Sequence, residues 1–242
     1  MFTTMGCLSA ITLRNTALAI PIPRVYYTFN IAEQTNSGLN INCDPTSILQ
    51  VPLIASQAYN GIINTAPPGP KEGTHYFSPG NKVRNAMANG TLAIPTASGF
   101  SVSLWTQILS AGSTNQIVCG VGIGTTSKWY LFYDGPKLQV LCYCNGANNI
   151  LGSQSAFLTN AGWGHVVMTW TGTSIKLYLN GVLKTWTTSN PTALPNETWT
   201  SLSVGKDVSG VLGNAYTNVD CLRVYDSVLT QAQVTAIYNS GT

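Results

Sequence analysis

Trp163-Gly-His-Val-Val-Met-Thr-Trp170 and, a short way on, Ile175-Lys-Leu-Tyr-Leu-Asn-Gly-Val182 decide the fold of this 242-residue chain. In the first run Val166, Met168 and Trp170 fall on one face, and His165, Val167 and Thr169 on the other. That is the period of two expected of a strand. In the second, Ile175–Leu179 and the run from Val182 to Trp186 flank Asn180-Gly181. Both residues tolerate positive φ, so the pair predicts a tight hairpin turn.

The same alternation recurs outward from this hairpin. Upstream, Phe100-Ser-Val-Ser-Leu104 alternates apolar with small polar residues. Gln116–Gly122, Trp129–Tyr133 and Leu138–Cys144 follow as further strands. Asp134-Gly135 lies between the last two. Pro136 comes next, so the loop there is expected to exceed a two-residue turn. Downstream, Leu202–Gly205 and Val219–Tyr225 complete the set. Strands recurring about every 10–15 residues with turn chemistry between them predict an all-β, antiparallel β-sandwich.

One helix is expected, at the C-terminus. Thr230 caps it and Gln233 completes a capping box. Leu229 and Val234 form a hydrophobic staple, while Val234, Ile237 and Tyr238 share a face. Gly241 ends it. Residues 30–99 are rich in Asn, Gly and Pro, with little periodicity. Tyr76-Phe77 and Thr91–Ile94 read as short strands and the rest as loop, including Ala66-Pro-Pro-Gly-Pro70. So long an irregular stretch implies further edge strands.

Charged residues make up 8% of the chain, against about 25% in an average domain. That excludes a coiled coil and a charge-rich disordered tail. Net charge is +3, with the basic residues scattered; nucleic-acid binding calls for a clustered basic stripe, so none is expected. No apolar run is long enough to span a membrane. Residues 1–23 are mildly apolar, interrupted by Arg14 and Asn15, and match a signal peptide poorly. They read as an extension ahead of a domain at 24–242, and pairing with a neighbouring chain is an equal reading.

Six cysteines, Cys7, Cys43, Cys119, Cys142, Cys144 and Cys221, form no zinc pattern. Cys142 and Cys144 share a strand face, which suits two buried thiols better than a mutual bridge. A disulfide to Cys119 or Cys221 stays open. Asn89-Gly90-Thr91 and Asn196-Glu197-Thr198 are glycosylation sequons in a secretory setting.

Together these runs resemble the laminin G-like, or concanavalin A-like, jelly roll shared by pentraxins and legume lectins. Val25-Tyr-Tyr-Thr-Phe-Asn30 is similar to its opening strand and Phe100–Trp105 to its first central strand. Trp163–Trp170 with Lys176–Val182 is the most recognisable segment. Leu202–Gly205 and Val219–Tyr225 match the closing strands, and Leu229–Tyr238 the terminal helix. The resemblance implies a jelly-roll β-sandwich over residues 24–242 with one short C-terminal helix. It does not imply one function, because one fold hosts many.

Catalysis is not expected. Glycosidases of this fold place paired carboxylates on one strand as Glu-x-Asp-x-x-Glu, and the eight acidic residues include no such spacing. Only His75 and His165 are available for a Ser-His-Asp triad, and neither lies in a nucleophile motif. Phosphate-loop, dinucleotide and HExxH motifs are lacking. Loop acids Asp134, Glu197 and Asp207 stand alone, so no metal and no cofactor is expected. Trp163 and Trp170 read as core packing, His165 as a strand residue with a satisfied hydrogen bond, and Asp220 and Asp226 as solvated or capping groups flanking a strand.

Two roles fit. The first is a structural component of a virion or other surface assembly, its partners other protein subunits. Its support is low charge, which leaves little repulsion between copies, together with the N-terminal extension. The second is an extracellular recognition module that binds glycan or protein. Trp129, Trp199 and Tyr216, near expected loops, are candidates to stack on sugar rings, with Asp134 and Asp207 to fix hydroxyls.

Overall fold

The computed structural model describes residues 19–27, 34–35, 40–41, 45, 48–49, 53–55, 63–64, 75–79, 86–88, 92–108, 116–123, 127–134, 137–144, 147–152, 162–184, 196–205, 208 and 216–241. In chain order the strands among them are β1 (Val25–Tyr27), β2 (Gln34–Thr35), β3 (Asn40–Ile41), β4 (Leu53–Ala55), β5 (Ile63–Asn64), β6 (His75–Pro79), β7 (Ala86–Ala88), β8 (Ile94–Pro95), β9 (Phe100–Ile108), β10 (Gln116–Ile123), β11 (Ser127–Asp134), β12 (Lys137–Cys144), β13 (Ala147–Gly152), β14 (Gly164–Trp170), β15 (Ile175–Leu179), β16 (Val182–Lys184), β17 (Thr198–Trp199), β18 (Ser201–Val204) and β19 (Tyr216–Tyr225). Helix α1 (Gln231–Ser240) follows.

Two antiparallel sheets stack. One has the order β16-β15-β14-β9-β19-β6-β5, with β1 also on β19; the other runs β13-β12-β11-β10-β18-β7-β4-β3-β2; β17 and β8 form a small third sheet. The alternation read from sequence sets which side chains meet between the layers. Phe100, Val102 and Leu104 of β9 join Val166, Met168 and Trp170 of β14 from one sheet, and Val121, Trp129, Leu131, Val140 and Leu202 join from the other, in one cluster. Burial on this scale is the main stabilising term of the fold.

The helix covers the outer face of the first sheet. Its capping box forms as the sequence indicates, with Gln233 N–H donating to Thr230 Oγ1 and Gly241 closing the end at φ 70°. Leu229, Val234 and Ile237 pack on Val167, Tyr178 and Tyr225. Ser101 fixes the approach: its hydroxyl donates to the Ser227 carbonyl and accepts from Leu229 N–H. Strand β9 is thus buried on both faces.

Four readings need correction. The β11–β12 ladder closes at Asp134↔Lys137, so only Gly135 and Pro136 separate the strands. A proline between two strands costs the ladder nothing, because its missing N–H is needed only within a strand. Trp163 is not in the sandwich core; it packs beside Tyr26, Trp105 and Cys221 on the outer face. Asp220 does not flank a strand in solvent; it lies within β19 and is fully buried. Asp226 is partly exposed and pairs with Arg24 at 3.1 Å. Of Thr91–Ile94, Thr91 lies outside the described residues, and only Ile94 is in a strand, β8.

Candidate functional site

Register places many strand ends at one end of the sandwich. In the second sheet Gln116 lies opposite Tyr133, Gln139 opposite Gly152, and Val204 opposite both Cys119 and Ala86. In the first, Tyr216 lies opposite Pro79, Thr217 opposite Ile108, and Thr106 opposite Gly164. The chain passes between the sheets from β6 to β7, β9 to β10, β13 to β14 and β18 to β19, and each passage leaves and arrives at this end. The Asn180-Gly181 turn is here too, with Asn180 N–H donating to the His165 carbonyl at 2.9 Å.

Two candidate residues belong to this end by chain position. Asp134 terminates β11 and Tyr216 begins β19; their side chains lie outside what the structure describes. Asp207, between β18 and β19, is itself outside the described residues. The two tryptophans do not belong with them. Trp129 lies opposite Val121, toward the other end, and is buried in the core. Trp199 pairs with Ile94 in the small sheet, also in the core. Its indole N–H donates to Glu197 Oε1 at 2.8 Å, and its ring meets Phe100 edge-on at 5.4 Å. Neither offers a ring face to a sugar, because both project between the sheets. That corrects their assignment as stacking platforms.

A second feature was missed in the sequence. Beneath α1, the outer face of the first sheet carries a nest of polar and aromatic groups: Ser103, Trp105, His165, Asp220, Cys221, Arg223, Tyr26 and Tyr238. Its origin is a bulge. The β19–β9 register shifts between Asp220 and Arg223, and Cys221 adopts φ 50°. The extra residue lets Asp220 and Cys221 both leave the core face. Asp220 Oδ1 accepts from the Cys221 N–H at 2.7 Å. The Arg223 guanidinium lies 3.8 Å over the Tyr26 ring, a cation–π contact. His165 Nε2 and Ser103 Oγ are 2.9 Å apart, and Tyr238 stacks on both Trp105 and His165.

Ser103 and His165 are not a catalytic pair. Both are fully buried, and His165 Nδ1 meets no carboxylate or other partner to orient the ring. Burial, with Arg223 adding to it, pushes the His165 pKa down to about 3, so the ring is neutral and a feeble base. Burial, with the Asp220 carboxylate second, pushes the Cys221 thiol up to about 12; burial likewise raises the Cys119 thiol. Neither is a nucleophile at neutral pH. Both are free cysteines. The side chains of Cys142 and Cys144 are outside what the structure describes. Among the described residues no group of three His, Cys, Asp or Glu is placed to hold a metal ion.

Residues 80–235 match the laminin G-type model of the concanavalin A-like lectin/glucanase superfamily. The chain belongs to that superfamily. The jelly roll with its short C-terminal helix is the family architecture the sequence resembles. No curated protein matches the chain. Solved structures share its fold. Domain 4 of a GH43 extracellular arabinanase from Geobacillus stearothermophilus, in complex with arabinotriose, aligns with TM-score 0.63 and 18% identity over 90% of this chain and 98% of that one. The botulinum neurotoxin serotype D binding domain aligns with TM-score 0.63 and 14% identity over 90% of this chain and 52% of that one. Trypanosoma rangeli sialidase in complex with 2,3-difluorosialic acid aligns with TM-score 0.62 and 15% identity over 92% of this chain and 33% of that one. This superfamily chain thus spans about half of the neurotoxin domain and a third of the sialidase. Among its described residues no helix is long and apolar enough to cross a membrane.

Proposed function

We propose that this chain is a non-catalytic glycan-recognition module acting outside the cell or at a surface. The observation that carries this reading is its similarity, across nearly the whole of a domain of equal size, to a structure holding arabinotriose. The end of the sandwich where strand ends gather is the binding region, with Tyr216 to stack on a sugar ring and Asp134 and Asp207 to accept from its hydroxyls. The absence of paired acids in the sequence and the sealed Ser103–His165 contact support recognition without turnover. A glycan array carrying neutral and acidic oligosaccharides tests this. Saturable binding that weakens at least tenfold in Asp134→Asn or Asp207→Asn, with no cleavage of the bound glycan, is expected. Binding to nothing at millimolar ligand sinks it.

A second reading, a structural subunit of a virion or similar assembly, draws on a different observation. Ile20, Ile22 and Ile48 are exposed at 40%, 62% and 54%, and Ile48 N–H donates to the Pro23 carbonyl at 3.1 Å. They are exposed apolar side chains where the N-terminal segment meets the domain, on a chain with few charges to keep copies apart. Light scattering of the intact chain and of one lacking residues 1–23 separates the readings. Assembly that depends on those residues favours a subunit; a monomer in both cases rules it out.

A further inference from the structure

Residues 19–23 form an arm that its own domain holds from one side. Gln233 Nε2 donates to the Ala19 carbonyl at 2.8 Å, and Ile48 N–H donates to the Pro23 carbonyl at 3.1 Å. Ile20 and Ile22 each precede a proline, which restricts both to extended backbone. Along an extended chain successive residues turn their backbone groups to opposite sides. Ala19 and Pro23 face their own domain, so Ile20 and Ile22 face away from it. Among the described residues no backbone hydrogen bond takes the N–H of Ile20 or Ile22, and both side chains are exposed. The arm is therefore an open edge.

Strand β16 is another. It ends the first sheet, with no strand beyond it among the described residues. Leu179↔Val182 closes the Asn180-Gly181 turn and is the bonded pair of a two-residue hairpin. The next pair, Tyr178↔Leu183, is non-bonded, so Leu183 turns its N–H and C=O away from β15. Val182 lies opposite core residue Leu179, and Leu183 opposite Tyr178 beneath α1. They are 57% and 47% exposed. The edge is thus apolar and open on both faces of the sheet, with Lys184 its one charge; natural sheets blunt such edges or pair them. The two edges of one chain do not meet. Gln231 Nε2 and Thr235 Oγ1 donate to the Gly181 carbonyl at 2.6 and 3.4 Å, so that face of α1 borders the β15–β16 turn. Gln233, which holds Ala19, lies two residues on from Gln231, roughly 200° around the helix. The helix stands between an arm and its own β16, and the arm is fixed at both ends.

We infer that residues 20–23 of one copy pair with β16 of a second copy, Ile22 opposite Leu183. Opposite residues share a sheet face, so Ile22 packs on Leu183, while Pro21 and Pro23 fall opposite Val182 and Lys184. The prolines lack an N–H only on the side turned from the new ladder. Pairing β16 with β16 instead would bring two Lys184 onto one face, a repulsion that the uncharged arm avoids. Each copy carries one arm and one edge, so contacts run head to tail and close a ring or grow a filament. The inference rests on the subunit reading and supplies its contact. Light scattering of the intact chain, of Ile22→Asp, of Leu183→Asp and of an equal mixture of the two variants tests it. Both positions are exposed, and Leu183→Lys replaces Leu183→Asp if that variant fails to fold. The expected result is an intact chain larger than one copy, each variant a monomer, and a mixture that stops at two copies, because each variant supplies the element the other lacks and the single contact cannot propagate. A mixture that stays monomeric overturns the pairing. Loss of assembly in Leu183→Asp alone indicates β16 against β16 and overturns it too. Assembly lost with residues 1–23 but kept in both variants overturns the docking site and keeps the subunit reading. A monomeric intact chain removes both.

Discussion

Gly99 shows how closely single positions are fitted. Its φ is 83°, and a Cβ there would lie 2.6 Å from both the Trp170 carbonyl oxygen and Val228 Cγ2. Gly99→Ala therefore combines backbone strain with overlap and is expected to lower unfolding free energy by about 2–4 kcal/mol in urea denaturation. Gly162→Ala, where an added Cβ meets nothing within 4 Å, is expected to stay within about 0.5 kcal/mol. His165 gives a pH dependence. Its pKa is about 3 in the fold against 6.5 for the free side chain. Between those values the unfolded chain takes up a proton that the native chain refuses. Stability is thus complete above pH 6.5 and falls as pH drops toward 3, by up to about 1.4 kcal/mol per unit from this group. Urea midpoints across that range are expected to lose this component in His165→Gln. At this scale the sequence showed strand faces well, and it gave His165 a hydrogen bond that the structure supplies at Nε2 from Ser103, though not at Nδ1. It misled where nearness to a loop stood in for exposure, as with Trp129 and Trp199. Asp220-Cys221 breaks the alternation of β19, and that break was the available sign of the bulge and of the nest it builds.

Elements whose signals are local were legible in detail. Thr230, Gln233 and Gly241 mark the helix by capping chemistry that needs no tertiary partner, and the structure forms each contact. Thr230→Ala is expected to destabilise the domain by about 1 kcal/mol. Hydrogen exchange should show faster opening of α1 while β9 and β14 keep their protection; equal loss in all three would show that the helix does not open separately. Asn180-Gly181 is likewise a turn by conformation alone, with φ 51° and 77°. Asn145-Gly146 carries the same signal and joins β12 to β13 through Cys144↔Ala147, yet β13 was not read, because Ala147-Asn-Asn-Ile-Leu-Gly152 does not alternate. Strands β2 to β5 have two or three residues each. Pieces that short hold no period, and only pairing with neighbours defines them.

At the scale of the molecule, the two sheets divide the chain's tasks. The space between them supplies stability, α1 seals one outer face, and the strand ends gather at one end. The layered architecture was legible because each long strand carries its own inside and outside. The placement of the ends of β11 and β19 at one end of the sandwich was not, because it depends on which strand lies beside which. The most direct test is backbone amide NMR of the intact chain titrated with neutral trisaccharides. Shifts centred on Ile108, Gln116, Asp134, Lys137, Gly164 and Tyr216 are the expected result. Shifts confined to the opposite end, at Ile123, Ser127, Cys144, Ala147 and Thr198, or none at millimolar sugar, would contradict a recognition site at the gathered strand ends.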